Sequence, residues 1–318
     1  MRKGSLEYWP HRRAKKLLPR VRTFANTTET SFLGFVGFKA GMTHVIMIDD
    51  SESPAKGTEV SRAVTVLEIP KVHIYGIRFY KIGYLYKEIL GEVYDQKIAQ
   101  NVGIKTIKDN NLETFKSKID EVFDITALAY LDAGSLEFGN KRVLRFEVPV
   151  GGADNKAKLS FIEGFLGKEV KINDFIKTGE YLDISSISKG KGWAGVIKRF
   201  GVSRQYRKAT GKVRHVGTLG AWHPPKVLYT VPHSGHKGYN YRTEINKRVI
   251  KIGSEKDVKS INIKGGFTNY GPIKNDFIII DGSIPGSAKR LIRIRKAVRN
   301  TTKVKEPQIV YTSLESKQ

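Results

Sequence analysis

The chain has 318 residues, with 56 Lys+Arg against 31 Asp+Glu, a formal charge of +25 and no cysteine. An apolar content of 40% supports a buried core and excludes a wholly disordered basic chain. The lack of Cys excludes a disulfide scaffold, a thiolate zinc site and a cysteine nucleophile, and suits a reducing cytoplasm. No run of about 18 apolar residues is present to span a membrane, and the basic N-terminus lacks the apolar segment of a secretory signal.

Residues 1–30 read as a basic arm. Arg2, Lys3, Arg12, Arg13, Lys15, Lys16, Arg20 and Arg22 stand against Glu7 and Glu29, and Pro10 and Pro19 interrupt any helix. A disordered tail and a nucleic-acid-binding arm that orders on phosphate both fit this composition.

From residue 31 a mainly β fold is expected, in pieces on either side of an insertion. Over 31–87, Phe32–Phe38 is apolar and punctuated by glycine, and Lys39-Ala40-Gly41 reads as a turn. Met42–Ile48 follows, then Asp49-Asp50 and a polar loop to Thr58. Val60–Ile69 is β-branched, and Val72–Tyr86 is extended and aromatic-rich. Two or three antiparallel strands account for this region.

Residues 88–170 read as an α/β insertion of nearly balanced charge facing solvent. Acids return at Glu88, Glu92, Asp95, Asp109, Glu113, Asp120, Glu121 and Asp124. Leu112, Phe115, Ile119, Val122 and Phe123 have helical spacing. Arg142–Val150 alternates like a strand, and Asp154 is placed to cap a helix carrying Leu159, Ile162, Phe165 and Leu166.

Strand character resumes over 171–187, chiefly in Phe175–Ser186. Residues 188–244 then form a long basic loop. Beyond it, 245–300 offers short strands at Arg248–Ile252, Val258–Ile263, Phe277–Ile280 and Leu291–Val298, at the spacing of an antiparallel barrel. In the last of these, Leu291, Ile292 and Ile294 alternate with cations, so one face is expected to pack while the other stays cationic. A polar tail fills 301–318.

The stretch Ile184–Thr243 is the most informative. It contains twelve Lys and Arg, no Asp or Glu, and many interleaved Gly, Pro and aromatic residues. A solvated face normally mixes both signs, so a one-sign run of this length calls for a polyanionic partner. Nucleic acid fits, because phosphates attract Lys and Arg while exposed bases stack on aromatic rings. An irregular loop favours RNA over DNA, whose grooves are usually read by a helix or ribbon.

Other readings of this stretch are weaker. Gly190-Lys191-Gly192-Trp193-Ala194-Gly195 satisfies G-x-G-x-x-G, but no acid follows until Glu244 and Trp193 crowds the turn, which argues against a dinucleotide. His215, His223, His233 and His236 lack accompanying Cys or carboxylate and sit among cations, which disfavours a metal. An RNA-modifying enzyme would need a general base or nucleophile that the stretch does not supply. Trp222 has two readings: an aromatic at the tip of an RNA-penetrating loop, or a side chain packed back on the core.

Ile187-Ser188-Lys189-Gly190-Lys191-Gly192-Trp193-Ala194-Gly195-Val196-Ile197-Lys198-Arg199 resembles the core signature of the ribosomal protein L-three family. Gly220-Ala221-Trp222-His223-Pro224 and Gly238-Tyr239-Asn240-Tyr241-Arg242-Thr243-Glu244-Ile245-Asn246-Lys247 resemble its archaeal and eukaryotic branch, as does Gly4-Ser5-Leu6 followed by Pro10 and clustered Arg. The resemblance spans nearly the whole chain. It implies a translation-protein-type antiparallel β-barrel with an α/β insertion and long basic extensions. It further implies large-subunit rRNA and neighbouring large-subunit proteins as partners, rRNA binding near the 3′ end, early subunit assembly, and a loop directed at the peptidyl-transferase centre with Trp222 at its tip. It implies no catalysis, cofactor, metal, membrane or small-molecule substrate. Thr210 stands where eukaryotic relatives carry a methylated histidine, so that modification is expected to be absent.

On this reading the candidate rRNA contacts in the arm are Arg12, Arg13, Lys15 and Lys16. Those in the loop are Lys189, Lys191, Trp193, Lys198, Arg199, Arg204, Arg207, Lys208, Lys212, Arg214, His215, Trp222, His223, His233, His236, Lys237 and Arg242. Arg293 and Arg295 complete the set from the last strand.

Overall fold

The computed structural model describes residues 3–104, 111–131, 133–136, 139, 143–209, 211–299 and 304–315. Arg2, Asp109, Arg142, Thr210 and both ends of the expected 301–318 tail lie outside the described residues. The chain forms two compact units. One comprises Met1–Leu17 with Ile187–Arg242, and the other Leu18–Ser186 with Thr243–Gln318.

In chain order, the larger unit begins with β1 (Gly34–Ile48), β2 (Glu59–Ile69), β3 (Val72–Ile82) and β4 (Lys87–Tyr94). Helices α1 (Gln96–Asn101) and α2 (Leu112–Ser117) precede β5 (Asp124–Leu131) and β6 (Leu144–Pro149). Then come α3 (Asn155–Phe165), β7 (Glu169–Val170) and β8 (Tyr181–Ile187). The smaller unit contains β9 (Trp193–Ala194), α4 (Val196–Phe200) and β10 (Gly235–His236). The chain continues through β11 (Tyr241–Gly253), β12 (Asp276–Asp281), β13 (Leu291–Lys296) and β14 (Ile309–Thr312).

The fold is mainly β. Seven strands of the larger unit follow the order β13-β8-β11-β12-β2-β1-β14, and β13 also pairs with β1. That extra pairing, antiparallel from Gly34 opposite Arg295 to Phe38 opposite Leu291, joins six strands into a circuit and leaves β14 outside it on β1. The β-branched residues that mark the strands in sequence are its core: Val64, Val66, Ile184, Val249, Ile278, Ile280, Ile292 and Ile294 are essentially inaccessible to solvent. Each such side chain contributes about 1.5–3 kcal/mol when fully buried.

Three sequence expectations need correction. Lys39-Ala40-Gly41 is not a turn; β1 runs through it, and a bulge between Lys39 and Gly41 absorbs the irregularity against β2. Val258–Ile263 is not a strand; Glu255–Ser260 winds as a 3-10 helix because Ser254 and Asp257 cap it reciprocally. Third, β3 was expected in the first barrel segment, 31–87, with the insertion opening at residue 88. It belongs instead to the second sheet, ordered β4-β3-β5-β6 with β7 beside β3. Both edges of β2 are already taken by β1 and β12, so β3 has no edge there to join despite the short Pro70-Lys71 link.

That second sheet is covered by α2 and α3. Phe115 of α2 stacks on Phe79 of β3 at 4.6 Å, and α3 buries Leu159 and Ile162. The helical spacing over 112–123 is realised only as α2 and the 3-10 turn Ile119–Glu121, which leaves Phe123 exposed.

Candidate nucleic-acid interface

The smaller unit holds 18 of the chain's 56 Lys+Arg and only one of its 31 acids, Glu7. Few opposite charges are available to fold it, so backbone pairing and aromatic stacking do the organising. β9 and β10 pair antiparallel, with Trp193 opposite His236 and Ala194 opposite Gly235. The ladder is extended by Lys237 N–H donating to the Gly192 carbonyl at 3.0 Å and Lys191 N–H donating to the Lys237 carbonyl at 2.9 Å. Gly238 sits at φ +77°, the left-handed region that glycine tolerates, and a Cβ there would run into the Lys189 carbonyl.

The N-terminal arm is part of this unit. Lys3 N–H donates to the Phe200 carbonyl at 2.7 Å, and Ala14 N–H donates to the Tyr239 carbonyl at 2.8 Å. Asn240 Nδ2 donates to the Arg12 carbonyl at 2.8 Å, and Tyr241 Oη donates to the Lys16 carbonyl at 3.1 Å. Trp9 stacks on Phe200 at 5.6 Å and on His11 at 4.6 Å. Over residues 3–17 the main chain is thus tied to the loop at Lys3, Arg12, Ala14 and Lys16, while the side chains of Lys3, Arg12, Arg13, Lys15 and Lys16 are exposed.

Arg12, Arg13, Lys15, Lys16, Lys189, Lys191, Trp193, Lys198, Arg204, Arg207, Lys208, Lys212, Arg214, His215, Trp222, His223 and His233 are all exposed. Trp222, at 88% exposure, is not packed on a core. From Gly217 to Tyr229 the chain forms no helix or strand. His236, Lys237 and Arg242 are half-buried. Lys237 Nζ donates to the Lys198 carbonyl, and Arg242 lies 5.9 Å from the Tyr8 ring centroid. Among the described residues no three His, Cys, Asp or Glu side chains gather as metal ligands would.

Three candidate arginines are built into the fold. Arg199 Nε donates to the His236 carbonyl at 3.1 Å and Nη1 to the His233 carbonyl at 2.9 Å. Its guanidinium also lies over Phe200 at 5.0 Å and over Trp9 at 5.6 Å, so it clamps α4 to the strand that follows the loop. In the larger unit, Arg293 is only 9% exposed, donates to the Glu147 carbonyl and lies 5.8 Å from the Phe24 ring. Burial pulls its pKa below the ordinary guanidinium value, partly offset by the Glu147 charge. Arg295 donates through Nε and Nη2 to Asp183, at 3.0 and 2.8 Å, and through Nη1 to the Thr23 carbonyl. The cationic face expected on β13 is therefore covered, by the chain around Thr23 and Phe24 and by Glu147, and Arg293 and Arg295 serve structure there.

Tyr206, Lys226 and Tyr229, which belong to the basic stretch but not to the candidate contacts, are exposed in the same loop and share the composition of their neighbours. Trp9 gave no signal beyond its aromatic character, since its role depends on stacking partners almost two hundred residues away.

Together these features define a class: a mainly β protein carrying a separate, one-signed cationic unit with exposed aromatics. The chain belongs to the ribosomal protein L3 family, whose model matches residues 1–124 and 109–318. It is 40% identical over 328 residues to the large ribosomal subunit protein uL3 of Methanothrix thermoacetophila, covering 100% of this chain and 97% of the relative. It is 38% identical over 327 residues to that of Methanobrevibacter smithii, and 41% over 328 residues to that of Methanocorpusculum labreanum, again along the full chain. The family is one of structural proteins, not enzymes.

Proposed function

We propose that this chain is a structural protein of the cytoplasmic large ribosomal subunit, bound to large-subunit rRNA and to neighbouring subunit proteins. Its smaller unit is the principal rRNA-binding element. The carrying observation is the charge of that unit, 18 Lys and Arg against Glu7, with most of those side chains in solvent and Trp193 and Trp222 exposed among them. Mutual repulsion on that scale is relieved by a polyanion, and neutralised phosphates let rRNA helices approach one another.

The irregular run Gly217–Tyr229 suits the same partner. Its backbone groups, lacking a helix or sheet, can be satisfied by phosphates and 2′-hydroxyls. On this reading the run carries Trp222 toward the peptidyl-transferase centre, the protein binds near the 3′ end of the rRNA, and binding occurs early in subunit assembly. Residues 188–244 act as the RNA-penetrating loop, 31–71, 171–187 and 245–300 supply the anchoring strands, and the second sheet with its helices, over 72–170, faces solvent on its outer side.

The test is the salt dependence of binding to large-subunit rRNA fragments. Replacing Arg204, Arg207 and Lys208 with Gln should weaken binding and flatten the plot of log affinity against log salt by roughly two units, since each phosphate contact contributes about 0.7–0.9 to the slope. An unchanged slope would remove these residues from the interface.

A further inference from the structure

The hairpin joining β3 to β4 carries a run of exposed apolar side chains that the cationic surface does not account for. Its tip reads Lys81-Ile82-Gly83-Tyr84-Leu85-Tyr86-Lys87. Gly83 N–H donates to the Tyr86 carbonyl at 3.0 Å and closes the turn. Ile82, Tyr84, Leu85 and Tyr86 are nevertheless 70–98% exposed, and Ile89 and Phe123 are exposed beside them. Scattered exposed apolar side chains are ordinary, but six large ones gathered on one hairpin and its base are the kind of concentration that marks a binding surface. The turn could have been built from Asn, Asp and Gly at lower cost in solubility.

Local charge decides which macromolecule fits. Both flanking lysines are already paired: Lys81 with Glu88 at 3.7 Å, and Lys87 with Asp124 at 2.8 Å. Lys87 also lies over the Phe123 ring, 4.7 Å from its centroid. Asp120 and Glu121, in the turn just before Phe123, are exposed. A phosphate backbone approaching this patch meets neutralised cations and an acidic rim, whereas a polypeptide with apolar anchors and a Lys- or Arg-bearing rim meets complementary charge. β4 is moreover the terminal strand of its sheet, so its outer edge offers main-chain groups to an added strand.

We propose that the β3–β4 hairpin, centred on Tyr84, Leu85 and Tyr86 and rimmed by Asp120 and Glu121, is a docking surface for a basic polypeptide, which in the setting proposed above is another protein of the same subunit. Tyr84 and Tyr86 are suited to anchor it, because tyrosine combines large contact area with few rotatable bonds and is enriched among the residues that dominate interface energies.

The experiment places a photo-reactive phenylalanine analogue at position 86 of the full chain, assembles it into large subunits in cells, purifies the subunits, irradiates them and identifies the attached species by mass spectrometry. The expected result is attachment to a net-basic peptide of one subunit protein. The exposed double variant Tyr84→Ser/Leu85→Ser should lower that yield roughly tenfold or more, because central anchors carry most of an interface's affinity. Attachment to nucleotides, to a second copy of this chain, or to nothing above the yield from an exposed control position would overturn the proposal. Failure of the chain to enter subunits at all would instead overturn the ribosomal reading, so the two failures are distinguishable.

Discussion

Replacing Arg295 with Met should unfold the larger unit far more readily than removing any exposed cation of the smaller one. Asp183 is 1% exposed, and its Oδ2 accepts from Arg295 Nε and Nη2. Its Oδ1 accepts from Asn246 N–H at 3.0 Å. Methionine restores much of the packing of the arginine stem but leaves the carboxylate buried without its counter-charge. Breaking a buried pair from one side costs about 3–5 kcal/mol. The Arg295 side chain is itself only 14% exposed, so solvent screening reduces that figure little. For a unit of this size, roughly 2–4 °C of Tm accompanies each kcal/mol, which sets the expected loss at about 6–20 °C. Thermal and urea unfolding of the isolated chain measure it. Replacing Asp183 with Asn in the Arg295→Met background should recover part of the loss, since a neutral amide needs no counter-charge. A cost below about 1 kcal/mol for Arg295→Met would refute the assignment of Arg295 to structure and return it to the candidate RNA contacts.

Three further outcomes are expected. Trp222→Ala should change the unfolding free energy of the isolated chain by no more than about 0.5 kcal/mol, given its 88% exposure, while altering chemical probing of the peptidyl-transferase region in subunits; a large loss of stability would make Trp222 a packing residue. Gly238→Ala should cost ~1–3 kcal/mol for the left-handed backbone alone and accelerate amide exchange at Lys191 and Lys237, whose hydrogen bonds flank it; unchanged exchange would show that the turn relaxes freely. Finally, hydrogen bonding and charge from Arg248 hold the Asp50 carboxyl below its ordinary pKa despite some desolvation. Its stabilising contribution is therefore fully present above the ordinary carboxylate range and is lost as pH falls through that range toward the depressed folded value. Arg248→Met should lose this part of the acid sensitivity, and an unaltered profile of stability against pH would show that the pair contributes nothing.

Much of the β architecture is visible in sequence because β-branched runs such as Val60–Ile69 have few other uses. The sheet each strand joins is less visible. Nothing local in Val72–Ile82 tells that both edges of β2 are occupied. The reciprocal cap at Ser254 and Asp257 is a readable helix signal, masked in sequence by the β-branched Val258, Ile261 and Ile263. For the basic surface, composition finds the region but does not sort its members. Arg199 and Arg204 look alike in sequence, yet one is bound to two backbone carbonyls and two aromatic rings while the other stands in solvent. Likewise, the alternation in β13 separates two faces but cannot show that Thr23 and Phe24, some 270 residues earlier, cover the cationic one.

The most direct test of the central claim is sedimentation of cell lysate through a density gradient at low and then raised salt, following this protein across the fractions. Comigration with the large subunit, retained at salt that strips loosely bound proteins, is the predicted result, because many phosphate contacts and an ordered smaller unit would hold it there. Recovery at the top of the gradient, free of RNA at either salt concentration, would contradict the account.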